Sequence, residues 1–172
     1  ENRQILADRV KAGMDKAWEA TVKSPTTAAD LGWGSIPVAL PVDPRLDEKA
    51  LEATVANEDA PARQRGNAAR DLAWVRRCKN GETINISCLR LGDKARVLHM
   101  PGELFIEYQL AARDLRPDLF VAMAAYGDYG PGYIGTKKSY SEGGYETQAH
   151  VSRVAPEVED ALNAAVADLL SD

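Results

Sequence analysis

The segment ETINISCLRLGDKARVLHMPGELFIEYQLAARDLRPDLFVAMAAYG, residues 82–127, decides the fold. Ile84, Ile86 and Cys88 alternate with their neighbours, Gly92-Asp93 supplies a turn, and a second apolar run follows, the pattern of a β-hairpin. From Glu103 to about Leu115 a helical period takes over, with Phe105, Tyr108, Ala112 and Leu115 on one side, and Pro117 ends it. Residues 119–127, LFVAMAAYG, read as a buried strand. Strand, helix, strand in that order predicts a right-handed crossover between parallel strands. The expected fold class is α/β, a mixed sheet with a β-hairpin, a βαβ crossover and helices packed on it. The Pro101-Gly102-Glu103 step then falls at the carboxyl end of a strand, where open α/β sheets place their sites.

Upstream, Leu6, Val10, Met14, Ala17 and Trp18 form one stripe of an amphipathic helix, expected to pack against the sheet. Gly34, Pro37, Pro41 and Pro44 mark the next segment as an extended edge strand or an irregular crossing. A short helix is expected from about Asp47. Residues 61–80 carry six basic side chains and one acid, with Ala68, Leu72 and Val75 at helical spacing, so a helix with a basic outer face is expected. At the other end, Pro156 and the acids Glu157, Glu159 and Asp160 open a helix whose apolar face is Leu162, Val166 and Leu169.

A chain of 172 residues, 45% of them hydrophobic, can bury one real core, and residues 1–172 read as a single α/β domain. With 21 basic and 26 acidic side chains, its net charge of −5 argues against a nucleic-acid binder that depends on phosphate neutralisation. No run approaches the roughly 18 apolar residues of a transmembrane segment, and no signal peptide opens the chain. Beginning at ENRQ without methionine, it is expected to be a processed product or a piece of something longer. Cys78 and Cys88 either pair or remain free thiols, the latter being the simpler reading.

Glu103 admits two readings. It is a first-turn acid favoured by the helix dipole, or a site carboxylate approached over the bare Gly102 backbone. Tyr126, Tyr129, Tyr133, Tyr140 and Tyr145 crowd into twenty residues of a chain with six tyrosines. They lie in and just before the Gly-rich segment DYGPGYIGTKKSYSEGGYETQAH, residues 128–150, a candidate functional loop. Such phenols pack or stack on ligands, donate to an oxyanion, or bind a metal as phenolates. His99 and His150 are the only histidines, so a His-rich zinc site cannot be assembled from this chain. His99 is expected as a half-buried strand residue. No nucleophile elbow, His-Glu-x-x-His helix or P-loop is present.

The string MPGELF, residues 100–105, followed by GYIGTKKSYSEGGYE, residues 132–146, resembles the end of the catalytic module of the neutral/alkaline (non-lysosomal) ceramidase family. In that family a Pro-Gly-Glu segment precedes a Tyr-hydrophobic-x-Thr segment and then a Tyr-Glu pair, places filled here by Tyr133-Ile134-Gly135-Thr136 and Tyr145-Glu146. The shorter spacing from Glu103 to Tyr133, and the absence of a following β-sandwich, are closer to the short bacterial relatives. The resemblance implies that Glu103 and Tyr133 are zinc ligands and that Tyr145 hydrogen-bonds the substrate amide or its tetrahedral intermediate. It implies two further histidine ligands upstream, absent from this chain, which would then be the C-terminal portion of a larger catalytic domain. The implied partner is the missing N-terminal half of that module. The implied substrate is a small amide or a lipid-like molecule, and the implied location extracytoplasmic. Two alternatives stand beside it: a non-catalytic binding domain using the Tyr/Gly-rich loop, and a degenerate family member lacking metal.

Overall fold

The computed structural model describes residues 2–23 and 25–171. Its centre is a four-stranded sheet. β1 (Leu31–Val38) runs antiparallel to β2 (Ile84–Leu91), β2 antiparallel to β3 (Ala95–His99), and β3 parallel to β5 (Phe120–Ala124). The strand order is β1-β2-β3-β5, with the Pro-containing β1 at one edge and β5 at the other. The hairpin and the strand-helix-strand crossover are therefore both present. The segment expected as a buried strand forms β5, but as an edge strand: Val121 is buried while Phe120 is exposed.

Register explains which side chains enter the core. Cys88 stands opposite Leu98, and Leu98 opposite Met123, so alternate residues of successive strands share one face. Ile84, Ile86, Cys88 and Leu98 are buried on it, and Ile86 and Leu98 have no exposed surface. Against this face lie α4 (Ile106–Leu115), through Tyr108 and Ala112, and α6 (Val158–Leu169), through Val158, Leu162, Ala165 and Val166. The opposite face presents Trp33 and Phe120, 66% and 71% exposed.

Two further helices form a pair, α2 (Glu48–Ala56) against α3 (Ala62–Lys79). Asp47 caps α2 by accepting from the Ala50 N–H at 2.7 Å, the local chemistry that starts the helix there. In α3 the expected Ala68, Leu72 and Val75 are buried, joined by Trp74 and, unexpectedly, Asp71. Both cysteines are free, and burial pushes each thiol upward, which keeps them in the unreactive protonated form.

Two further expectations change here. α1 (Asn2–Ala20) forms with the anticipated stripe, but none of its residues is buried; Leu6, Val10, Met14 and Trp18 are 58–68% exposed. Periodicity specifies a helix and its apolar side, whereas the partner depends on which surface remains, and α4 and α6 already fill the core face of the sheet. Glu103 does not begin the helix after Pro101-Gly102. It lies in β4 (Glu103–Leu104), and the helix starts at Ile106 behind an extended Phe105. The reason is a long-range hydrogen bond: the Glu103 N–H donates to the Gly132 carbonyl at 2.9 Å and is committed to strand pairing. Among the described residues, no helix is long and apolar enough to cross a membrane.

Candidate functional site

Beyond the carboxyl ends of β3 and β5 the chain makes a second, two-stranded parallel pairing. β4 meets β6 (Tyr133–Ile134), with Glu103 opposite Tyr133 and Leu104 opposite Ile134. The fully buried Ile134 side chain anchors β6 in the core. The Phe105 N–H donates to the Ile134 carbonyl at 3.0 Å, and the buried Tyr108 hydroxyl donates to the Gly135 carbonyl at 2.9 Å, tying α4 to the end of β6. Glycine is required where the backbones touch. Gly102 has φ +59°, and a Cβ there would fall 2.4 Å from the Gly132 carbonyl oxygen. Gly132 has φ +71°, and its Cβ would fall 2.1 Å from the Val151 oxygen.

This pairing places the carboxylate among phenols. Tyr126 donates to Glu103 Oε2 at 3.1 Å, and Tyr129 donates to Oε1. The two rings are stacked, centroids 6.1 Å apart and planes within 5°. The Tyr133 phenol is pushed above its ordinary range, first by the charge of Glu103, then by burial and by a hydrogen bond to the same carboxylate. Tyr126 is pushed up by its hydrogen bond to Glu103 and by burial; for the same causes, hydrogen bond first, Tyr129 reaches about 12. A phenol donating to a carboxylate gives up its proton against an adjacent negative charge.

Tyr145 lies in a 3-10 turn, Tyr145–Thr147, whose Thr147 is buried and whose Thr147 carbonyl accepts from Arg45 at 2.8 Å. Its ring meets Tyr133 edge-on at 6.1 Å and His150 edge-on at 5.8 Å. At 55% exposure, the Tyr145 side chain is accessible to a ligand. The residues singled out in the sequence, Glu103, Tyr133 and Tyr145, are thus neighbours. His99 is not half-buried as expected; it is exposed at the end of β3, with Cε1 2.7 Å from where a Cβ on Gly127 would be.

Beneath the tyrosine loop is a buried buttress that sequence reading missed. Arg153, 3% exposed, pairs with Asp71 of α3 at 2.6 Å and donates to the Gly130 carbonyl at 3.3 Å. The Trp74 indole donates to the Arg153 carbonyl at 3.0 Å, and Gly130 lies so close to this ring that a Cβ would be 2.7 Å from it. Arg77 pairs with Asp128 at 2.8 Å. One face of α3 therefore supports the loop that carries Tyr129.

The donor chemistry fits part of a metal centre. Glu103 and Tyr133 set two oxygen donors side by side, but among the described residues no three His, Cys, Asp or Glu side chains cluster as a metal site. Zinc takes about four ligands, so these residues would fill two positions.

No family model matches the chain, and no curated protein matches it in sequence. Solved structures to which it is similar include a ceramidase complexed with C2, at TM-score 0.44 and 19% identity, covering 51% of this chain and 14% of that one. A second is the neutral ceramidase from Pseudomonas aeruginosa, at TM-score 0.44 and 13% identity, covering 81% of this chain and 28% of that one. The chain thus spans well under two thirds of either structure, and each likeness is to part of a larger chain.

Proposed function

We propose that this chain is the C-terminal part of a ceramidase-like, zinc-dependent hydrolase of a carbon-nitrogen amide bond. The observation that carries this reading is the placement of Glu103 directly opposite Tyr133, with the Tyr145 ring against Tyr133. Those are the three residues that the Pro-Gly-Glu, Tyr-Ile-Gly-Thr and Tyr-Glu strings single out.

In this reading Glu103 and Tyr133 hold the metal together with two histidines from the missing N-terminal half of the catalytic module. Zinc, when bound, lowers the pKa of water to about 7 and polarises a carbonyl. Tyr145 contributes as a hydrogen-bond donor. Its accessible hydroxyl faces the negative charge that develops on the amide oxygen as the carbonyl becomes tetrahedral, and stabilises that charge more than it stabilises the bound substrate. The exposed tyrosine rings around Glu103 offer apolar surface to a small amide or lipid-like substrate. The exposed Trp33 and Phe120 on the outer sheet face are apolar surface that a further segment of the module would bury. By the same resemblance the protein works outside the cytoplasm.

The test is zinc binding and amide hydrolysis by the intact protein and by its Glu103→Gln and Tyr133→Phe variants. Each variant is expected to lose zinc affinity and turnover together, while this chain alone binds zinc poorly, because a ligand pair seldom suffices. Sub-micromolar zinc binding by the isolated chain would contradict the shared site. An intact protein that binds no zinc, yet retains a ligand on the tyrosine loop, would favour a non-catalytic binding domain or a degenerate relative without metal.

A further inference from the structure

Tyr126 is the one described non-glycine residue with positive φ, +67°, a conformation bulky side chains rarely adopt. Its backbone is held there from both sides. The Tyr126 N–H donates to the Gly102 carbonyl at 2.8 Å, the Gly127 N–H to Met100 at 2.9 Å, and the Gly102 N–H to Asp128 at 2.8 Å. Asp128 is fastened in turn: its Oδ1 accepts from the Gly130 N–H at 3.0 Å, and its carboxylate pairs with Arg77 of α3. Core packing does not account for this arrangement, since Tyr126 and Tyr129 are 63% and 50% exposed. Their hydroxyls, however, are both occupied, each on a different oxygen of Glu103.

The consequence is geometric. The terminal torsion of a glutamate is broad and roughly two-fold, so a lone carboxylate samples many planes. One donor on each oxygen, from two rings stacked within 5° of parallel, removes that freedom. Each carboxylate oxygen accepts through two lone pairs, so with Tyr126, Tyr129 and Tyr133 all donating, the carboxylate keeps one for a further partner. A left-handed backbone at an exposed tyrosine that sets its hydroxyl on Glu103 points to a task at the carboxylate.

We propose that Tyr126 and Tyr129 are positioning residues that lock the plane of the Glu103 carboxylate beside Tyr133 and so preorganise the chain's half of the metal site. The proposal rests on the zinc reading of Glu103 and Tyr133. Hydrogen-bonded supports of this kind orient ligating carboxylates, and their loss lowers metal affinity by roughly 10- to 100-fold.

The experiment is zinc titration of the intact protein, by competition with a chromophoric chelator, for the wild type, Tyr126→Phe, Tyr129→Phe and the double variant. Phenylalanine keeps each ring and its stacking and removes only the hydroxyl. The metal-free melting temperature is measured in parallel. The double variant is expected to bind zinc roughly 10- to 100-fold more weakly with its metal-free melting temperature unchanged, and each single variant less weakly. Zinc affinity equal to wild type in the double variant overturns the positioning role and leaves the zinc reading standing. Weakened affinity that tracks a lowered melting temperature assigns the pair to the fold and also overturns it. Absence of zinc binding in the wild type removes the zinc reading itself, and this proposal with it, before any substitution is compared.

Discussion

Glu103 and Tyr133 stand opposite each other in a parallel pairing only two residues long, separated in the chain by α4 and β5. Main-chain hydrogen bonds, from Glu103 N–H to Gly132 and from Phe105 N–H to Ile134, set their approach. Side-chain chemistry is then added to a spacing already made.

Substitution at Tyr145 should separate binding from turnover. Tyr145→Phe in the intact protein is expected to leave zinc affinity unchanged and to lower kcat by roughly 10²- to 10³-fold, the usual effect of removing one oxyanion donor. Steady-state kinetics beside a zinc titration check it. A variant with wild-type kcat would remove Tyr145 from the chemistry.

The phenols around Glu103 should titrate late. Tyr129 is held up at about 12 by its hydrogen bond to Glu103, against an ordinary value near 10. Its folded-state pKa lies above its unfolded value, so ionising this phenol beside Glu103 disfavours the fold: stability is level below about pH 10 and falls as pH rises towards 12. Alkaline spectrophotometric titration should show a high-pH phenol step that moves down in Glu103→Gln. An unchanged step would mean that the carboxylate is not its cause.

The Asp71–Arg153 pair should be expensive to break. Both side chains are buried, and Arg153 would keep its charge without its carboxylate partner. Asp71→Ala is expected to destabilise the protein by about 3–5 kcal/mol in denaturant unfolding, with loosening of the loop that Arg153 supports at Gly130. A loss below about 1 kcal/mol would show that the pair is solvated in solution.

Two glycines with similar φ should respond differently to a methyl group. Gly102→Ala forces a Cβ to within 2.4 Å of the Gly132 oxygen, whereas Gly143, at φ +80°, has nothing within 4 Å of its Cβ position. Gly143, with ψ −164°, lies in a region nearly exclusive to glycine, so Gly143→Ala is expected to cost about 1–3 kcal/mol from backbone strain alone, and Gly102→Ala clearly more. Thermal melts compare the two, and equal losses would mean that β4 and β6 can part without penalty.

Much of the fold is written in local pattern. Ile84, Ile86 and Cys88 alternate up to the Gly92-Asp93 turn, and Pro156 with its acids announces α6, because such signals depend on neighbours in the chain. Glu103 reads locally as a helix-start residue and not as a strand residue, since the bond that takes it out of the helix comes from Gly132. The stripe on α1 specifies a helix without naming what it meets. Tyr126 and Tyr129 belonged to a visible crowd of tyrosines, yet their grip on Glu103 depends on a left-handed backbone at Tyr126, which its residue type argues against. Asp71 and Arg153, 82 positions apart, each look like an ordinary surface charge until they are paired in the interior.

The close passage of Gly102 over Gly132 has a bearing on how this site tolerates change. Carboxylate and phenol project from two paired strands whose spacing is set by main-chain hydrogen bonds, a length that changes in the apolar core do not stretch. Drift among the surrounding apolar residues can alter stability and leave that gauge intact. A single added methyl group at Gly102 acts as a shim between the two halves of the pair.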